Sequence, residues 1–282
     1  MEDNIAVVTD STCDLSKDLL EEKGIEFLPL KIIYKDNQYL DRVDIEPQQV
    51  YDHFENEIPS TSMPSPSEVK EKYLQLKEKG YTHIISLHIS SGLSGTYNIC
   101  RMVAEELDEI TVEVIDSQML SMGLGRLVLY AKELIEEKEY NFNRIVEMVK
   151  EKKDKIELYF IVETLKYLKE GGRIGKVRGT IAELLNIKPI ISINEEGEYY
   201  TFDKVRSRKK SIKKLISLAK EKIQEGLCKV DVMHADAKDE ALEILDKLKG
   251  LPNVKEALLG EISPAMVVHS GPGLIGVCIT KE

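Results

Sequence analysis

With 282 residues, 42% of them hydrophobic and 32% charged, the chain is long enough for two domains or one large one around a real core. Its net charge of −11 argues against nucleic acid, whose phosphates call for a basic surface. No apolar run approaches the roughly 20 residues needed to span a bilayer. The start, Met-Glu-Asp-Asn, has no apolar signal core, and Cys13, Cys100, Cys228 and Cys278 form no CxxC, so a cytoplasmic protein with reduced thiols is expected.

In chain order, Ile5–Thr9 reads as a buried strand ending in the polar loop Asp10-Ser-Thr-Cys-Asp14. Ser16 caps a short helix Lys17–Lys23, which Gly24 stops. Ile25–Tyr34 reads as a further strand, and Pro47 opens a helix through about Glu55. Pro59–Ser67 crowds hydroxyls and prolines into a segment too stiff and polar for a core. Ser65 and Glu68 form a capping box around Pro66, so the helix Pro66–Lys79 starts there and Gly80 ends it.

Thr82–Ile89 is a β-branched, parallel-type strand, and Tyr97–Leu107 places Ile99, Met102, Val103 and Leu107 at helical spacing. Between them lies the Ser/Gly loop of His88–Asn98. A strand that turns into a helix through such a loop aims N–H groups and hydroxyls at one point, where the helix dipole favours an anion. With no Lys or Arg in the loop, a carboxylate suits it better than a polyphosphate. The plain alternative is a Ser cap on an ordinary βα turn. Thr111–Asp116 is a strand, Ser117–Gly125 a loop, Arg126–Glu137 a helix, and Asn141 caps another helix to about Lys153. Alternating β and α implies a parallel sheet with helices on both faces, and ligands in such sheets sit beyond the carboxyl ends of the strands. The Asp10, Ser91–Thr96 and Asp116 loops share that edge.

From Ile156 the pattern changes. Ile156–Val162 is a strand, Glu163–Lys169 a short helix, and Gly171-Gly-Arg173 leads towards a helix at Thr180–Leu185. Lys188–Ile193 and Tyr199–Val205 flank a hairpin turn. Ser207–Glu225 is a Lys-rich helix, Val230–His234 a strand, Asp239–Leu248 a helix and Val254–Glu261 a strand. Met266–His269 and Ile275–Thr280 read as two closing strands around Ser-Gly-Pro-Gly. The expected fold class is α/β in two domains: a parallel α/β domain over 1–157 and an α+β domain with a mixed sheet over 158–282.

Several catalytic patterns fail on context. Gly271-Pro-Gly-Leu-Ile-Gly276 matches G-x-G-x-x-G, yet only six residues follow it, too few for the helix and strand of a dinucleotide site. Gly92-Leu-Ser94-Gly95 lacks the second glycine of a nucleophile elbow, since Thr96 stands there. Asp10 and Asp14 are not at D-x-D spacing, no P-loop lysine is present, and the five histidines show no H-x-x-x-H, so no metal site is expected. His269 abuts Ser-Gly-Pro-Gly, where its imidazole faces either a cleft or an ordinary strand end. Arg173 either orients a polar network or is a surface arginine. Lys204–Lys222 holds nine Lys or Arg against Asp203 and Glu221, which is either a solvated face or a surface for an acidic partner.

Taken together, Val8–Leu15, Thr61-Ser-Met-Pro-Ser65, Ser90-Ser-Gly-Leu-Ser-Gly-Thr96, Asp116-Ser117, Glu163–Gly175, Lys188-Pro-Ile, Lys204-Val-Arg-Ser-Arg-Lys and His269-Ser-Gly-Pro-Gly273 resemble the bacterial DegV family, from about residue 5 to 280. Met63 stands where a polar residue is commoner, and Ser270 where Thr is commoner. The resemblance implies a long-chain fatty acid buried between two domains. Thr61 and Ser94 would hold its carboxylate, with Ser62, Ser91 and Gly95 nearby and His269 and Arg173 completing the polar network. It further implies a non-catalytic subunit, without cofactor, that presents the carboxylate to an ATP-dependent fatty acid kinase for phospholipid synthesis. Arg173 and Arg206 would dock that kinase. The rival is a free-standing serine hydrolase or small phosphotransferase using the Ser94 loop.

Overall fold

The structure is a computed structural model that describes residues 3–177, 179 and 187–282. The helix expected at Thr180–Leu185 lies outside the described residues. The first sheet is parallel, ordered β2-β1-β6-β7, from β1 (Ile5–Asp10), β2 (Ile25–Leu28), β6 (His83–His88) and β7 (Thr111–Asp116). The second is mixed and six-stranded. It runs from β10 (Tyr199–Asp203) through β9 (Ile190–Ile193), β8 (Ile156–Ile161), β13 (Ile275–Lys281) and β11 (Cys228–His234) to β12 (Val254–Glu261). β11 and β12 are parallel, while the other pairs are antiparallel.

Helices fill the layers between and outside these sheets. α1 (Lys17–Lys23) and α2 (Pro47–His53) lead to α3 (Pro66–Glu78) and α4 (Thr96–Glu105). Val69, Tyr73 and Leu76 of α3, with Cys100 and Val103 of α4, pack on Ala6, Val8 and Ile84 on the outer face of the first sheet. α5 (Ser121–Glu137) and α6 (Phe142–Lys152) follow, and α5 lies between the sheets, touching β1 and β6 on one side and β8 and β13 on the other. Its Met122, Leu124, Leu127, Val128, Ala131 and Leu134 are all buried, as a helix between two apolar faces requires. After α7 (Lys166–Glu170), α8 (Arg208–Gln224) and α9 (Lys238–Leu248) cover the far face of the second sheet. α10 (Pro264–Ser270) precedes β13.

Three expectations are corrected. Ile25–Tyr34 is not one strand: Pro29 supplies no ladder N–H, and Leu30 N donates instead to Ser11 Oγ at 3.0 Å. The chain then leaves the first sheet, and β3 (Lys31–Ile33) forms a small antiparallel sheet with β4 (Gln38–Leu40) and β5 (Ser60–Ser62). The helix expected from Arg126 begins at Ser121, because Gly123 and Gly125 serve packing rather than a loop. A Cβ on Gly125 would stand 2.6 Å from the Cys13 carbonyl oxygen. Met266–His269 is helical, not a strand. Pro264 at its first position favours a helix start, and burial of nearly the whole segment erases the periodic signal that separates a short helix from a strand. No helix among the described residues is long and apolar enough to cross a membrane.

Candidate functional site

The loop after β1 and the loop between β6 and α4 open on the same edge of the first sheet. Thr61, on β5 opposite Ile32, and His269, at the end of α10, are brought to that edge from positions far apart in the chain. Thr61 Oγ1 and His269 Nε2 lie 2.8 Å apart. Arg173 reaches in from beyond α7, donating from Nε to the Leu93 carbonyl at 3.3 Å and from Nη1 to the Gly171 carbonyl at 2.6 Å. Ser94 Oγ lies 2.9 Å from Thr96 Oγ1 and accepts from Thr96 N at 3.3 Å. Thr61, Ser94, Arg173 and His269 line one narrow cavity, together with Thr12 and Tyr199.

A second narrow cavity adjoins it between the sheets, with Leu158, Phe160, Leu168, Met233, Ile262 and Leu274 among its walls. The two share Tyr199, Met266 and His269. A chamber with hydroxyl, guanidinium and imidazole groups in its wall therefore borders an apolar one at the imidazole. Burial, reinforced by the nearby Arg173 charge, brings the His269 pKa down to about 3, so the ring is neutral at physiological pH. Its Nδ1 is buried without a hydrogen-bond partner and rests against Gly171, where a Cβ would come within 2.2 Å. Only glycine leaves room for the ring to turn Nε2 towards Thr61.

The helix that carries His269 is fixed at its other end by two buried acids. Ser263 N donates to Asp14 Oδ1 at 2.8 Å and Ala265 N to Asp41 Oδ1 at 3.1 Å, while Ser11 Oγ donates to Asp41 Oδ2 at 2.6 Å. Burial pushes Asp14 up to about 6 and Asp41 up to about 7. Asp14 in the loop after β1 and Asp41 just after β4 thus position α10, and through it the imidazole.

Not every expected residue reaches the cavity. Ser91 is exposed, and its Oγ donates to Asp116 Oδ2 at 2.5 Å, so it braces two loops of the first sheet instead. Ser62 Oγ donates to the neighbouring Met63 carbonyl at 3.3 Å. Gly95 caps α4, and a Cβ there would stand 2.7 Å from Met63 Sδ. Arg173 points inward to the chamber rather than outward, and Arg206 is exposed in a bridge with Ile187. Tyr199, Met266 and Asp41 escape the sequence reading, while Thr12 lies in a loop it marked only as polar. No group of three or more His, Cys, Asp or Glu among the described residues is placed to hold a metal ion.

Comparison with known proteins gives a consistent result. A family profile described as an uncharacterised protein of the DegV family matches residues 4–282. A DegV domain-containing protein of Clostridium acetobutylicum is 48% identical over 280 residues, covering 99% of this chain and 100% of the relative. Among solved structures, a fatty-acid-binding DegV family protein from Thermus thermophilus superposes with a TM-score of 0.93 at 30% identity, covering 99% of this chain and 100% of that one. DegV of Bacillus subtilis, described as a fatty acid binding protein, gives 0.92 at 31% identity over 100% of both chains.

Proposed function

The chain belongs to the DegV family, and from that premise we propose that it binds one long-chain fatty acid and presents the carboxylate to a separate ATP-dependent kinase. One observation carries this reading: a cavity walled by the Thr61, Ser94, Arg173 and His269 polar groups and an apolar cavity share His269, Tyr199 and Met266, which sets donors for a charged head beside a slot for an apolar tail. A buried carboxylate needs charge-assisted donors, which the Thr61 and Ser94 hydroxyls and the Arg173 guanidinium supply. Each buried CH₂ of the tail adds about 0.8 kcal/mol. Affinity comes from the tail and orientation from the head.

The hydrolase alternative lacks its geometry. The Ser94 hydroxyl bonds Thr96 and the imidazole of the chamber bonds Thr61, so no base stands against the Ser94 hydroxyl among its described hydrogen bonds. In the proposed role the chain is non-catalytic and supplies the acceptor: a carboxylate oxygen bonds the γ-phosphorus of ATP on the kinase and ADP leaves, giving acyl phosphate for phospholipid synthesis. With Arg173 turned inward, docking falls to the exposed Arg206 and the basic face that follows it.

The test is mass spectrometry of a denaturing organic extract of the purified protein. About one fatty acid per chain is expected. A stoichiometric nucleotide or sugar with no lipid would overturn the reading.

A further inference from the structure

One row of directly paired residues crosses the second sheet: Ile191 on β9, Phe160 on β8, Gly276 on β13, Met233 on β11 and Gly260 on β12. Residues directly opposite one another share a face, and Phe160 and Met233 both line the apolar cavity, so the row faces inward. The two glycines make it a trough with Met233 standing in the middle. Gly276 lines the apolar cavity, and Gly260 lines a different, wider cleft on the surface. Met233 and Ile262 are the two residues that line both. The Met233 side chain lies over Gly260: a Cβ there would meet its Cε at 2.7 Å and its Sδ at 2.9 Å. On the other side, a Cβ at Gly276 would meet Phe160 Cβ at 3.6 Å and Met233 Cβ at 3.9 Å, ordinary contact, so the tighter approach of Met233 is to Gly260.

We propose that Met233, laid across Gly260 and backed by Ile262, is the stop at the far end of the tail cavity and sets the longest acyl chain this protein accepts. The inference rests on the fatty acid reading above. The direction of the ligand follows from the cleft beyond the stop, which carries Asp18, Glu22, Glu46 and Glu261 against Arg42. That surface repels a carboxylate, while Leu15, Leu19, Met122 and Leu258 on the same wall tolerate a tail end. Replacing Met233 by alanine removes three side-chain heavy atoms and lengthens the cavity towards the cleft, with Ile262 still behind it. Adding a methyl at Gly260 does the reverse, pushing the flexible thioether off Gly260 and back into the tail cavity that Met233 lines.

The experiment is a binding titration of saturated fatty acids from myristate to behenate against wild type, Met233→Ala and Gly260→Ala. In wild type, affinity should rise about fourfold per added methylene, as about 0.8 kcal/mol per CH₂ implies at 1.4 kcal/mol per tenfold. It should then fall once the tail meets Met233. The turning point should move about three carbons longer in Met233→Ala, one for each heavy atom removed, and to shorter acids in Gly260→Ala. If wild type binds but the turning point is the same in all three, Met233 is not the stop. If wild type binds none of the acids, the fatty acid reading itself has failed and takes this inference with it. Should Met233→Ala lose its native circular dichroism, Gly260→Ala decides alone: a turning point at shorter acids supports the stop, and an unmoved one overturns it.

Discussion

Thr61 and His269 are 208 positions apart and meet in one hydrogen bond, and the chamber they share with Ser94 supplies donors to any carboxylate placed there. Removing one donor from a buried carboxylate costs about 1–3 kcal/mol. Thr61→Ala and Ser94→Ala should each weaken oleate binding roughly tenfold or more, with little change in the unfolding midpoint, because both hydroxyls line a cavity rather than fill a core. Oleate titrations in which both variants match wild type would show that the head group sits elsewhere. The ensemble of motifs, not spacing, grouped Thr61, Ser94, Arg173 and His269, and all four line one cavity. Ser91 was drawn in by its neighbours in the same loop, yet Asp116 holds it on the outer side. Tyr199 and Met266 were illegible because each is an ordinary apolar residue whose position between two cavities exists only once the sheets are stacked.

At the scale of elements, caps carried most of the information. Ser16 accepts from Leu19 N, Asn141 from Arg144 N, and the Ser65–Glu68 box is closed, each where the side-chain chemistry predicts a helix start. Where burial surrounds an element the signal vanishes, and Pro264–Ser270 was mistaken for a strand for that reason. The basic helix α8 shows how charge is spent within an element. Lys214 pairs with Asp203, Lys222 with Glu157, and Arg208 with Glu163 and Glu240. Arg206, Lys209, Lys210 and Lys213 remain exposed, with no ion pair among the described residues. In a chain of net charge −11 such a cluster suits an acidic partner surface, where opposite charges mainly raise the association rate and are screened by salt. Arg206→Glu should therefore lower acyl phosphate formation at least about tenfold in a reconstituted assay at limiting kinase and low salt, while fatty acid stays bound. Wild-type activity in that variant, unmoved by salt, would place the docking surface elsewhere.

For the whole molecule, the alternation of strands and helices made the parallel first half and the mixed second half legible, but not how they stack. That depends on α5, whose two apolar sides put a single continuous core between the sheets, and on Arg126 within it. Arg126 donates from Nε to Asp231 Oδ2 at 2.8 Å and from Nη2 to Oδ1 at 2.6 Å, a bidentate pair that ties α5 to β11 across the proposed boundary near residue 157. Both side chains are buried, at 3% and 0% exposure, so the pair is hardly screened by water. Removing the arginine leaves the buried carboxylate without its bidentate partner, at a cost of about 3–5 kcal/mol, whereas replacing both partners with apolar groups is often close to neutral. Arg126→Met should thus lower the urea midpoint sharply, and adding Asp231→Leu should restore most of it. Because the core is continuous, tyrosine fluorescence and far-ultraviolet circular dichroism should report one coincident transition in every variant. Two separated transitions would mean that the halves fold independently and that α5 belongs to only one of them. An unmoved midpoint in Arg126→Met would mean that the sheets are held together without this pair.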